Sequence, residues 1–165
     1  MPTHSPIPLR IATLDDLPFL LAGFQAISEM EQSDTGLQLS PDFVEQAQDY
    51  LSSLLDRSDC LVLIADDGEH AGFLIGQLLP TPNAFTTVKL YALIQCLYVP
   101  EKFSGHGIGR QLVEAFEQTV VQHGAEYIDV QHVISNERAS EFWNKNDYKA
   151  VGMLRRKSIV TTSDA

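Results

Sequence analysis

Cysteine is almost missing from this sequence. Cys60 and Cys96 are the only two in 165 residues, and no CxxC spacing joins them. That excludes a disulfide framework and a cysteine-based zinc site, no other metal site is expected, and a reducing cytoplasm fits. Positive charge is scarce as well: 11 Lys and Arg stand against 22 Asp and Glu, a net charge of −11. General nucleic-acid binding needs a basic surface that displaces counterions, so that class is set aside. No apolar run reaches the roughly 18–20 residues of a membrane span. The opening MPTHSPIPLR has no basic stretch followed by an apolar one, so no secretory leader is expected. Internal repeats and low-complexity linkers are also lacking.

What is there is enough for a packed core. Hydrophobic residues make up 44% of the chain, which points to a globular fold. The length suits one domain spanning 1–165, with 1–7 and 161–165 as flexible ends. The acid is uneven. Residues 1–70 hold 13 Asp and Glu against Arg10 and Arg57, a net of −11, whereas residues 71–165 hold nine of each sign. An acidic first half is either a solvated face or an attraction for a cationic partner.

The periodicities predict an element order. PLRIA (8–12) reads as a strand. Thr13 and Asp16 resemble a capping box ahead of a helix whose face carries Leu17, Leu20, Leu21, Phe24 and Ile27. EMEQSDTGLQ (29–38) reads as a polar loop, and Ser40-Pro41 opens a second helix that ends near Leu55. CLVLIA (60–65) and AGFLIGQLL (71–79), joined by Asp67-Gly68, form a hairpin. A long strand runs from Thr86 to Val99, and a helix follows up to Gly124. Then come a strand at 127–134, a short helix capped by Asn136, and final strands in YKAVGML and RRKSIV. The first part meanders and so pairs antiparallel. Residues 88–134 imply a parallel right-handed crossover. The fold class is therefore α+β: a mixed sheet with helices on both faces.

FSGHGIGRQL (103–112) is the stretch with chemistry in it. Glycines turn tightly and keep side chains away from a ligand, and a helix start leaves N–H groups unpaired with a positive dipole end. The combination suits phosphate. GxxxxGK[ST] is absent, since Arg110-Gln111 stand where Lys-Ser/Thr is needed, and GxGxG is not the dinucleotide-binding GxGxxG.

LYVPEKFSGHGIGRQLVEAFEQ, followed by a strand and NERASEFWNKNDY, resembles the GNAT superfamily of acyl-CoA-dependent N-acetyltransferases. Leu97 and Val99 match its strand end, Gly107 and Gly109 its glycines, and Asn136, Ala139 and Phe142 its later motif. The resemblance implies a mostly antiparallel sheet that splays at the cofactor site. It implies acetyl-CoA as acyl donor, with backbone N–H groups of Gly105, His106, Gly107, Ile108, Gly109 and Arg110 on the pyrophosphate. The backbone of Leu97, Tyr98 and Val99 would hold the pantetheine arm, with Asn136 bonded to that arm, Phe142 packed on it, and Trp143 either lining the channel or in the core. The implied reaction is direct attack of a primary amine, of a small molecule, peptide or protein, on the acyl carbonyl.

The sequence departs from that pattern at the sites of charge and proton transfer. Ser104 stands where the family carries Arg or Gln, so Lys102 and Arg110 are the nearby cations. Trp143 replaces the usual Tyr acid, and an indole cannot donate a proton near neutral pH. Gln95 and Leu93 occupy the usual base positions, and Gln95 would orient a water. His132, with an unperturbed pKa of about 6.5, is either the base or a histidine bonded to a backbone carbonyl. Glu29 and Glu31 either attract the amine or are surface acids. His106 is expected to point outward, and His4, His70 and His123 to be surface residues. The competing functions are a non-catalytic acyl-CoA-binding module and a binder of another nucleotide. A homodimer is a further expectation, being common among homo-oligomers.

Overall fold

The computed structural model describes residues 5–160. His4, with residues 1–4 of the end expected to be flexible over 1–7 and the whole of 161–165, lies outside them. Within the described part, Ile7 is held by a bond from its N–H to Gln111 Oε1 at 2.9 Å.

Strand β1 (Leu9–Ile11) leads through a 3-10 turn (Leu14–Asp16) into helix α1 (Leu17–Thr35) and then α2 (Phe43–Leu55). Strands β2 (Cys60–Asp66), β3 (His70–Pro80) and β4 (Leu90–Tyr98) follow. A turn at Glu101–Phe103, helix α3 (Ile108–Gln122), strand β5 (Ile128–Val130) and helix α4 (Glu137–Lys145) complete the order. The sheet runs β1-β2-β3-β4-β5. All neighbours pair antiparallel except β4 and β5, which are parallel.

Apolar residues are spent on both faces. Under α1 and α2 lie Leu20, Leu51, Leu54, Val62, Ile64, Phe73, Ile75 and Cys96. Under α3 and α4 lie Leu74, Ile94, Leu112, Val113, Phe116 and Trp143. Each large side chain withdrawn this far from water contributes about 1.5–3 kcal/mol. Both faces are thereby covered, and the mixed α+β architecture expected from the element order is the one found.

Four expectations need correction. Residues 29–38 are not a loop: α1 continues to Thr35 and stops at Gly36, whose φ of 70° is left-handed. The apolar stripe ends before the helix does, because extending a helix costs far less than starting one. The Ser28 and Thr35 hydroxyls bond back to the carbonyls of Phe24 and Glu31 at 2.8 and 2.9 Å. The third long strand begins at Leu90 rather than Thr86, since Asn83 ties residues 83–86 into a turn by accepting from the Phe85 and Thr86 N–H groups. The strand expected at 127–134 is confined to Ile128–Val130. The final strands are not formed: residues 149–160 lie exposed outside any sheet. A strand pattern becomes a strand only against a paired neighbour, and β5 is three residues long.

The short β5 has a local cause. Ile75 pairs with Cys96 and Gly76 with Ile94, so Gln95 is an extra residue, a β-bulge in β4. The bulge bends β4 just where its ladder with β5 stops, at Ile94–Val130.

Candidate functional site

The sheet therefore splits. β4 runs on from Gln95 to Tyr98 with β3 on one side and, among the described residues, no β5 ladder on the other. At the end of the split the chain turns at Pro100–Phe103 and enters the glycine loop. Gly105 and Gly107 have φ of 79° and 77°, a region that side chains disfavour, and a Cβ on either would meet nothing within 4 Å. Gly107 is the N-cap of α3, with no side-chain cap. Ile108, Gly109 and Arg110 thus present first-turn N–H groups beside a positive dipole end, whereas the Gln111 N–H is already bonded to Gly107 O at 3.1 Å. Gly109 serves packing rather than turning: a Cβ there would come within 3.2 Å of the Phe142 ring. This open cradle of backbone donors, walled by no side chain, fits a pyrophosphate.

The cation at the loop is neither of those nearest in sequence. Lys102 pairs with Glu69 and lies over the Phe103 ring, and Arg110 is engaged by Glu114 at 2.8 Å. Arg138, from the first turn of α4, donates instead to Ser104 Oγ and, at 3.2 Å, to Glu101. Sequence reasoning missed Arg138. Ser104 and Arg138 are 34 residues apart, and nothing short of the α3–α4 packing brings them together. His106 is exposed, with Nδ1 at 3.0 Å from Phe103 O.

On α4, Asn136 is half-buried and its Oδ1 accepts from the Ala139 N–H at 3.0 Å, so it caps the helix. Phe142 is half-buried and faces Gly109. Trp143 is 7% exposed within the core cluster, edge-on to both Phe142 and Tyr148. Tyr148 gives its hydroxyl to Glu117 at 2.9 Å, and burial followed by that bond pushes its pKa well up, so it stays protonated. The Tyr98 ring lies on the α1 face, against Phe73 and Phe19, while Leu97 and Val99 belong to the α3 side.

A chain of side-chain hydrogen bonds crosses the α1/α2 side of the bulge. Tyr50 of α2 donates to Gln95 Oε1 at 2.8 Å, Gln95 Nε2 to Gln77 at 2.8 Å, and Gln77 to Asp59 at 3.0 Å. Burial raises the Tyr50 pKa, so this phenol stays a donor. The sequence signal for Tyr50 was only its place on an amphipathic helix. Glu29 is exposed, accepts from Gln25 at 2.8 Å, and lines an open cleft of about 540 Å³ between α1 and α2. Glu31 is half-buried, and desolvation raises its pKa. Both sit on α1, not in a loop. His132 is exposed just past β5, with Nδ1 3.0 Å from Val133 O. His123 is exposed. His70, expected at the surface, is half-buried, stacked on Phe19 and bonded to Asp16, because the turn before α1 brings that carboxylate to it.

No group of three metal-ligating side chains occurs among the described residues. No helix among them is long and apolar enough to cross a membrane.

Comparisons with known proteins agree with this geometry. Residues 24–148 match the acetyltransferase (GNAT) family. No curated protein matches the chain. Among solved structures, a mutant of the BH1408 protein from Bacillus halodurans superposes with a TM-score of 0.83 at 19% identity, covering 93% of this chain and 100% of that one. An aminoglycoside 6'-N-acetyltransferase from Acinetobacter haemolyticus gives 0.74 at 13% identity, covering 94% and 99%. An aminoglycoside acetyltransferase from an uncultured soil sample gives 0.68 at 21%, covering 95% and 97%. At such identities the likeness speaks for the fold.

Proposed function

The chain belongs to the acetyltransferase (GNAT) family, and on that premise we propose that it transfers an acetyl group from acetyl-CoA to a primary amine by direct attack. The observation that supports this most is the split between β4 and β5 leading straight into the Gly105–Arg110 cradle. Acetyl-CoA supplies a thioester, whose acyl carbon accepts an amine without a covalent enzyme intermediate. In this reading the N–H groups of Ile108, Gly109 and Arg110 hold the pyrophosphate. Arg138 adds the positive charge that Ser104 does not carry, and charge-assisted bonds of this kind are roughly twice as strong as neutral ones. The free edges of Leu97 and Val99 hold the pantetheine arm along β4. Gln95, fixed by Tyr50 and Gln77, faces the acceptor side of the bulge. Chemistry then depends on positioning, on a proton acceptor for the amine, and on a proton for the thiolate, which water supplies once Trp143 and Tyr148 are committed elsewhere.

The acceptor is an amine of a small molecule, peptide or protein. The net −11 of residues 1–70, which include α1 and α2, favours one that is cationic. Two of the structural neighbours are named as aminoglycoside acetyltransferases, and a multiply charged amino sugar has that character. The decisive measurement is coenzyme A release from acetyl-CoA with a panel containing an aminoglycoside, a polyamine and a peptide with a free N-terminus. Release with at least one amine is expected. Tight acetyl-CoA binding without release from any amine would replace this reading by the non-catalytic binding module, which the buried Trp143 favours. Stronger thermal stabilisation by ATP than by coenzyme A would remove both.

A further inference from the structure

The face that α1 turns toward the sheet carries Leu20, Phe24 and Ile27, all packed in the cluster that holds Cys96. Those positions step by four and three. The next step of four on the same face is Glu31, so an apolar stripe ends in a carboxylate. Glu31 is half-buried on the helix that packs against β4, whose Cys96 thiol is pushed up by burial first and by the Glu31 charge second. Cys96 adjoins Gln95, the bulge residue at which β4 and β5 part. Among the described residues the Glu31 carboxylate has no hydrogen bond and no ion pair. Glu29 is turned instead to the α1–α2 cleft and is bonded to Gln25. A partly desolvated carboxylate at the end of a core-facing stripe, on a helix packed against β4 and left without a partner, costs stability that a structural role would not require.

We propose that Glu31 is the group that takes the proton from the acceptor amine during acetyl transfer. This rests on the acetyltransferase reading above. The neutral amine attacks the acyl carbon; as the C–N bond forms, the nitrogen becomes positive and its proton passes to the Glu31 carboxylate. The C–S bond breaks with its electron pair on sulfur, and the proton returns from Glu31 through water to the thiolate. The products are the N-acetylated amine and the coenzyme A thiol, with no charge or atom left over. The Cys96 thiol of β4 is the titratable group that Glu31 meets across the helix–sheet contact, and Glu29 and Asp34 are the other acids on that stretch of α1. Arg156 of the C-terminal segment reaches the Thr35 carbonyl, one helical turn further on, at 3.5 Å. Burial shifts the Glu31 pKa upward, toward the range where a carboxylate is an effective base.

The test uses the full chain, acetyl-CoA and an amine that the wild type acetylates, with kcat and KM followed across pH. Glu31→Gln should lower kcat about 100-fold, within the range for general-base loss. It should also remove the acid limb of the kcat profile and leave acetyl-CoA affinity unchanged. Glu31→Asp should recover part of the rate and keep the limb, and Glu29→Gln should behave as wild type. Removing a desolvated charge leaves the fold intact, which circular dichroism checks. A Glu31→Gln enzyme that keeps the acid limb and turns over within threefold of wild type would overturn the proposal. A wild type that binds acetyl-CoA but acetylates nothing overturns the acetyltransferase reading itself, and this proposal with it.

Discussion

On the α3/α4 face the sheet offers backbone: a β4 edge that no strand among the described residues pairs, glycines with left-handed φ, and the N–H groups of a helix start. On the α1/α2 face it offers side chains: Glu31, Tyr50, Gln95, Gln77 and Asp59, contributed by α1, α2, β4, β3 and the turn before β2. Backbone donors placed by φ angles recognise what is constant in a ligand, such as a pyrophosphate. Side chains assembled from five segments can be exchanged singly, so on the proposed reading this is the face on which an acceptor would be chosen. One sheet thus separates a fixed requirement from a variable one, and the bulge at Gln95 is where they meet.

The separation can be broken most strongly at the glycine loop. Replacing both Gly105 and Gly107 by Ala places two side chains at φ near +80°, at a cost of about 1–2 kcal/mol each. Calorimetry should show acetyl-CoA affinity falling about 100-fold, with the unfolding midpoint lowered only by the strain of those two residues. Unchanged affinity would mean that the loop is only a turn.

Asp16 tests the other side. It is 2% exposed and receives two bonds from Arg10 at 2.7 Å, one from the Thr13 N–H at 2.7 Å and one shared with His70 at 2.8 Å. It thereby pins the start of α1. Asp16→Asn should cost about 2 kcal/mol of stability in denaturant titrations, and it should weaken acceptor binding more than acetyl-CoA binding. The Arg10 guanidinium holds the Asp16 pKa far below its ordinary 3.8. The native carboxylate is thus favoured over the unfolded one, and its contribution is complete above that ordinary value and is lost as pH falls below it. The gap in stability between wild type and Asp16→Asn should therefore close in acid. A gap that does not narrow between about pH 5 and pH 2 would refute the assignment.

A smaller effect is expected at Arg138. Arg138→Ala should weaken acetyl-CoA about tenfold at low salt and less at high salt, because the guanidinium is exposed and screened. KM for the amine should stay put. The mildest change is Tyr50→Phe, which frees Gln95 without touching the cofactor cradle. A rise of about threefold in amine KM, with acetyl-CoA affinity constant, is the expected result for one neutral hydrogen bond. Equal effects on both substrates would show that the two faces are not separate.

Much of the α3/α4 side was legible in the chain. The glycine loop, the strand ending at Tyr98, the α4 cap at Asn136 and the apolar faces of α1, α2 and α3 follow the expected order. Each rests on a local rule, a φ angle or a helical period, that a few consecutive residues satisfy. Where expectation failed, the deciding contact was distant. The polar stretch 29–35 stayed helical, Glu29 and Glu31 went to different faces, and residues 149–160 found no strand to pair with.

What the order of residues settled was the backbone chemistry: a helix start opened by glycines and preceded by a strand. Folding settled which side chains face that chemistry. Arg138 rather than Lys102 or Arg110 reaches Ser104, Trp143 goes into the core, and Glu31 rather than Glu29 ends half-buried on α1. The reason is physical. A backbone donor is aimed by the dihedral angles of its own residue and its neighbours, whereas a side chain's partner is set by how segments tens of residues apart pack against one sheet.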